Sequence, residues 1–221
     1  MKATVNEENS KKIIISLCGG TGSWERPYQD TGYDVRNITL PGYDVCIFKP
    51  PDTVYGILAA PPCDQLSFAK TTGAPRDLVG ALKIVDACLK IIWASQLKLI
   101  SPYANTTTLK FWALENPNGL LKRFLGLPAF EFSPWEFGDQ YKKTTHLWGY
   151  FKLPQKIYSK INEVMTKKQI ALAKTNSQKL PKFDGLKTKE IHPEYYGKEN
   201  RKTRRAITPQ GFAEAFFKAN P

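Results

Sequence analysis

The residues most able to do chemistry in this chain stand just after short apolar runs. Ala60-Pro61-Pro62-Cys63 follows one such run, and the two prolines fix the backbone immediately before a thiol. A thiolate is the strongest ordinary side-chain nucleophile near neutral pH once its pKa is lowered, so Cys63 is the candidate nucleophile. Leu114-Glu115-Asn116-Pro117 follows another apolar run, and Glu115 is expected at the same sheet edge as Cys63. A carboxyl group held in a cleft is raised in pKa and can act as an acid or a hydrogen-bond donor; a turn acid is the alternative for Glu115. Ser16-Leu17-Cys18-Gly19-Gly20-Thr21-Gly22-Ser23-Trp24 joins a strand to a helix, and its glycines let backbone approach a ligand. Free N–H groups at the helix start favour an anion there. No GxxxxGK[ST] pattern occurs, which argues against a nucleotide-triphosphate loop.

These groups need a scaffold that brings strand ends together. Lys12–Cys18, Asp34–Leu40, Asp44–Phe48, Tyr55–Ala60 and Leu109–Leu114 read as strands. Ser23–Thr31 and Asp77–Gln96 read as helices, the second with Leu78, Leu82, Val85, Leu89 and Ile92 at helical spacing. The alternation predicts an α/β fold with a largely parallel central sheet, whose ligands sit at the carboxyl ends of strands. Beyond Phe151 the pattern weakens: Lys160–Lys174 is consistent with a helix and 175–200 with loop. Thr208–Ala219 then reads as a helix that returns to the core. Pro134–Gly149 interleaves aromatics with lysines, which suits either base stacking or a core with a solvated cationic face.

The 221 residues carry 32 Lys+Arg against 20 Asp+Glu, a net charge of +12. Residues 1–150 hold 16 basic and 14 acidic side chains, whereas 151–205 hold 15 and 5. A basic segment on a near-neutral body is the footprint of a polyanion binder, or alternatively a solvated surface segment. No apolar run is long enough to span a bilayer, and the first residues lack an apolar signal core, so a cytoplasmic protein without a membrane partner is expected. The four cysteines never form a CxxC pair, and only His146 and His192 are present. A disulfide framework and a metal centre are therefore not expected, and Cys18, Cys46 and Cys88 read as inert, buried thiols.

Together, the glycine turn, Pro-Pro-Cys with Ser67-Phe68, Glu115-Asn116 and Gln140-Tyr141-Lys142-Lys143-Thr144 resemble the cytosine-C5 DNA methyltransferases, in the family's order. Small phage and prophage members are the nearest in kind. The resemblance covers most of residues 12–150 and 204–220. It implies a Rossmann-like S-adenosylmethionine-dependent methyltransferase fold: a catalytic core over 1–150, a short basic insertion over 151–203 in place of a full recognition domain, and a C-terminal helix over 204–221. It implies methyl transfer from S-adenosylmethionine to cytosine C5 in DNA, with Cys63 attacking C6, Glu115 bonding N3 and the amino group, Lys142 or Thr144 holding the base and ordering the cysteine loop, and Asn116 counted with them as catalytic. Cys18, Gly19, Gly20, Thr21, Gly22, Ser23, Trp24, Asp44, Pro61 and Thr208 are the implied cofactor residues, with no metal. Asp44, heading the third strand, is the candidate for the adenine amino group.

The partner so implied is DNA, bound through residues 152–205 with low sequence specificity, by a monomer in a bacterial cell or phage-infected host. Cys18 stands where the family usually has phenylalanine, and Thr208-Pro209 where Gly-Asn is common. These departures leave open a variant donor such as carboxy-S-adenosylmethionine. The short insertion leaves open single-stranded DNA, RNA or a free nucleotide as substrate, and a catalytically degenerate nucleic-acid-binding module is the alternative outside enzymology.

Overall fold

A computed structural model describes residues 7–97, 109–164 and 206–221. It is a mixed α/β structure with a six-stranded, mostly parallel sheet, compatible with a Rossmann-like fold. The strands are β1 (Ile13–Leu17), β2 (Asp34–Ile38), β3 (Gly56–Ala59), β4 (Phe111–Pro117), β5 (Phe130–Phe132) and β6 (Thr145–Tyr150), in the order β2-β1-β3-β4-β6-β5. β1 pairs in parallel with β2 and β3, and β3 in parallel with β4. β6 lies antiparallel between β4 and β5. The chain leaves β1 toward β2 and then crosses back to β3, so the strand order reverses between β1 and β3. Ligands of open α/β sheets bind outside the carboxyl ends at such a reversal.

The sequence IIISL of β1 explains its central place. β-branched residues fill a pleated surface well, and a parallel strand covered on both sides reads as an unbroken apolar run. Successive side chains point to opposite faces. Ile15, Leu17, Ile57, Ala59 and Leu114 join Val85, Cys88 and Ile92 of helix α2 (Leu78–Leu97) in one core layer. On the other face Ile14, Leu58 and Phe111 meet an aromatic layer. That layer includes Tyr28 of helix α1 (Arg26–Asp30) and Phe212 and Phe216 of the C-terminal helix. Two further helices among the described residues are α3 (Lys122–Leu125) and the C-terminal α4 (Gln210–Ala219). Asp77 caps α2 by accepting the Gly80 N–H at 2.8 Å.

α4 is fastened to the core at several points. The Tyr28 hydroxyl donates to the Asn220 carbonyl at 2.7 Å, and Asn220 exchanges two hydrogen bonds with the backbone of Lys152. Phe132 stacks on Phe212 with ring centroids 3.9 Å apart.

Several sequence expectations are corrected. Asp44–Phe48 is a turn and not a strand, because the Asp44 carboxylate accepts the Cys46 N–H at 2.8 Å and the Asp44 carbonyl accepts the N–H groups of Ile47 and Phe48. β4 runs past Leu114 to Pro117, so Glu115 and Asn116 lie within the strand. β6 keeps pairing there, with Glu115 opposite Leu147 and Asn116 opposite His146. Residues 140–144 form the run-in to β6. In Pro134–Gly149, Phe137, Tyr141 and Trp148 are buried core residues, while Trp135 is half-buried. Of the helix expected at 160–174, the described part is a 3-10 turn at Ile161–Glu163; the rest, and 175–200, lie outside the described residues.

Candidate active site

The turn after β1 is held open by backbone geometry. Cys18, Gly20 and Gly22 have φ of 56°, 56° and 76°, in the left-handed region that strongly favours glycine. The Cys18 N–H donates to the Ile38 carbonyl at 2.8 Å, and the Gly22 N–H to the Gly19 carbonyl at 3.1 Å. The Ser23 hydroxyl accepts from the Thr21 hydroxyl at 3.1 Å and from the Thr208 N–H at 2.7 Å. That last bond brings the C-terminal segment back onto the turn across 185 positions.

Beneath the turn lies a polar cluster that the sequence reading missed. A Cβ on Gly19 would collide with the Ser16 hydroxyl, and would sit 2.8 Å from Asn37 Oδ1 and 2.9 Å from Glu25 Oε1. Glu25 is fully buried and neither carboxyl oxygen has a well-aligned hydrogen-bond partner. Burial pushes its pKa up to about 7; its own backbone N–H and the nearby Ser16 hydroxyl pull the other way. α1 is only five residues long and is preceded by this buried acid, so the anion site expected at its start is not supported. Trp24 is also corrected: its ring packs 6.0 Å from Phe212 and 5.5 Å from Phe216, in the core and not in the crevice.

Across the reversal, β3 ends in Ala60-Pro61-Pro62-Cys63. Asn116 is fully buried and its side-chain amide donates to the Pro61 carbonyl at 3.0 Å. It therefore positions the Pro-Pro-Cys loop through the backbone. Ala59 is registered with Leu114, so Glu115 stands one step further on the neighbouring strand, about 5 Å away in the pairing direction. The Cys63 carbonyl accepts the N–H groups of Leu66 and Ser67 at 3.0 and 2.8 Å, which starts a tight turn after the half-buried thiol.

Two further ties hold this loop. The Arg76 guanidinium donates to the carbonyls of Gln65, Ser67 and Lys70 at 2.5, 3.0 and 2.6 Å. The Leu120 N–H donates to the Leu66 carbonyl at 2.7 Å, and the Phe68 N–H to the Asn118 carbonyl. The thiol is thus carried by a loop anchored to β4, to the segment behind β4 and to the lead-in of α2.

Burial pushes the Glu115 carboxyl above its ordinary range, with the positive charge of Lys143 and the neighbouring His146 opposing. His146 is buried and lies 2.7 Å from the exposed Glu131 carboxylate. Lys143 and His146, and not Lys142, are the groups that act on Glu115. Asp44 is exposed on its turn, within electrostatic reach of Cys18 at the β1 end. Cys46 is exposed, contrary to the expectation of burial, and Cys18 is half-buried, while Cys88 is fully enclosed.

No protein-family model matches the chain, and neither does any curated protein sequence. Among the described residues no group of three or more His, Cys, Asp or Glu side chains could hold a metal ion. Nor is any described helix long and apolar enough to cross a membrane. Of the basic stretch 152–205, residues 165–205 lie outside the described residues.

Proposed function

We propose that this chain is a methyltransferase of the cytosine-C5 type acting on DNA, with Cys63 as nucleophile and Glu115 as the group that holds the base. The observation that carries the reading is the Asn116–Pro61 hydrogen bond. It ties together two motifs 55 positions apart, which supports a thiol and a carboxyl acting on one substrate beside the β1–β3 reversal.

The chemistry asks for this pairing. Cytosine C5 is a weak nucleophile. Addition of the Cys63 thiolate to C6 breaks the C5–C6 double bond and moves its electron pair toward C5 and the N3 edge of the ring. A Glu115 carboxyl whose pKa is raised by burial can donate to N3 and stabilise the charge that develops there. Once C5 is substituted, loss of its proton to a base and departure of the thiolate restore the double bond. A base in a duplex is reachable only when turned out of the stack.

S-adenosylmethionine is the donor this reading calls for, and the character of the turn after β1 supports it. The missing Cβ of Gly20 would have nothing nearer than 3.9 Å, so the turn offers bare backbone there. The Asp44 carboxylate at the rim suits an amino group. Residues 18–23 would hold that cofactor together with Thr208, whose N–H is fixed by Ser23. When bound, it supplies an electrophilic methyl carbon. Basic side chains in 152–205 would contact phosphates, which positions without specifying sequence.

The direct test is mass spectrometry of nucleosides from DNA of cells expressing the chain. The proposal expects a 5-modified deoxycytidine with the wild type and none with Cys63→Ser. Equal levels in the two, with both proteins folded, would refute it; the mass of the added group identifies the donor.

A further inference from the structure

An exposed aromatic ring stands on the loop that carries Cys63. Leu66 and Ser67 are buried, whereas Phe68, five residues after the thiol, is 43% exposed. The backbone is pinned there on both sides. Ser67 forms an antiparallel bridge with Gly119, the Phe68 N–H donates to the Asn118 carbonyl at 3.3 Å, and Arg76 holds the carbonyls of Ser67 and Lys70. Gly119 permits this close approach, because a Cβ there would collide with the Leu66 backbone. α3 begins just beyond the bridge. Leu121 is buried and Lys122 is exposed, with its ammonium 5.9 Å from the centroid of the Phe68 ring, a cation–π distance. Of the acids flanking the loop, Asp77 accepts the Gly80 N–H and Asp64 the Gln65 side-chain amide. Between those two acids, and through 118–127 opposite, lie four basic residues and no acidic one. A ring left in water on a fixed backbone, with a cation over it, has the parts that stack a nucleobase and meet its phosphate. The fixed backbone keeps the ordering cost of such a contact low.

We propose that Phe68 and Lys122 form a DNA-binding platform, on which an unpaired base stacks against the ring while the Lys122 ammonium meets its phosphate. The commitment to DNA rests on charge and place: the chain carries a net charge of +12, and the ring shares a loop with Cys63. The flexible lysine stem lets the ammonium leave the ring for a phosphate. This contact differs in kind from one made by the basic stretch 152–205. Lysines alone respond to backbone charge, whereas a ring responds to the base. The platform shares with the proposed function only that the ligand is DNA. Neither a methyl donor nor a reaction enters its test, so the two readings fail separately.

The test titrates the full chain into a short fluorescein-labelled oligothymidylate and, in parallel, into an abasic sugar-phosphate strand of the same length, read by fluorescence anisotropy. The wild type should prefer the intact strand. Phe68→Ala should weaken that binding by roughly tenfold, about the worth of one stacked base, and leave the abasic strand unaffected. Phe68→Leu keeps an apolar side chain and should lose nearly as much, while Phe68→Trp should bind at least as tightly as the wild type. Lys122→Gln should reduce the slope of log affinity against log salt by about 0.7. Trp93→Ala is the control. That ring is 60% exposed on α2, roughly 22 Å along the helix from the end that lies beside the loop, and its loss should change nothing. A wild type that binds neither strand or both equally would overturn the proposal. So would a Phe68→Ala loss that is absent or the same on both strands, a Phe68→Trp protein as weak as Phe68→Ala, an unchanged salt slope, or a Trp93 effect as large as that of Phe68. If Phe68→Ala fails to fold, the wild-type comparison of strands and the Leu and Trp variants still decide.

Discussion

Glu25 offers a quantitative check on the environment under the glycine turn. Its carboxyl is enclosed among Ser16, Asn37 and the turn backbone, with a folded-state pKa of about 7 against an ordinary value of 4.5. An acid whose pKa is raised by folding binds its proton more tightly in the native state. Its penalty is therefore absent below the unfolded pKa of about 4.5, grows between about 4.5 and 7, and is complete above that. The full penalty is roughly 3 kcal/mol, from about 1.4 kcal/mol for each pKa unit. Asp139, raised by burial to about 6, and Glu115, raised by burial, act in the same direction, so the wild type as a whole should lose stability as pH rises through this window. Glu25→Gln removes one contribution and leaves the others. Urea unfolding of the two proteins at pH 5 and pH 8 should show the variant gaining on the wild type by about 2–3 kcal/mol between those two conditions. A stability difference that does not change with pH would refute the placement of Glu25 in a closed, weakly hydrogen-bonded pocket.

Other outcomes follow from the ties around the thiol. Asn116→Ala leaves the buried Pro61 carbonyl without its partner and should cost about 1–3 kcal/mol by urea unfolding. It should also lower kcat more than it raises KM for DNA, because it loosens a loop that the substrate does not touch at that point. Arg76→Lys cannot reproduce three carbonyl contacts from one planar fork. A roughly tenfold or greater loss of kcat is expected in a methylation assay, since small misplacements of a nucleophile are costly. Phe212→Ala removes a fully buried ring that stacks on Phe132 and should destabilise by about 3–5 kcal/mol, read as a shift of the urea midpoint.

The parts of this structure that were legible in the sequence are those written in local pattern. The apolar run of β1, the helical spacing of α2 and the strand-stopping Pro61-Pro62 each act over a few residues, and each reads correctly. The parallel pairing of β3 with β4, which brings Asn116 to Pro61, follows from two apolar runs in one sheet, whereas Glu115 lies inside β4 and not at its end. Asp44 misled because its alternating neighbours look like a strand, while its carboxylate captures the Cys46 N–H and folds the chain into a turn. The three residues of β5 carry too little periodicity to be seen, and β6 is hidden in a lysine- and aromatic-rich stretch whose burial is decided by pairing with β4. Glu25 reads from sequence as an ordinary acid at a helix start. Its burial comes from the turn closing over it, which the bare Gly19 permits.

The central claim is that the Cys63 sulfur bonds to C6 of a cytosine ring. DNA containing 5-fluorocytosine, incubated with the chain and S-adenosylmethionine, should give a protein–DNA species that survives denaturation, because fluorine does not leave C5 as a proton does. Peptide mapping should place the bond on Cys63, and Cys63→Ser should abolish it while DNA retention stays nearly unchanged. A cross-link on a different residue, or its absence when the DNA and the methyl donor are both shown to bind, would contradict the account.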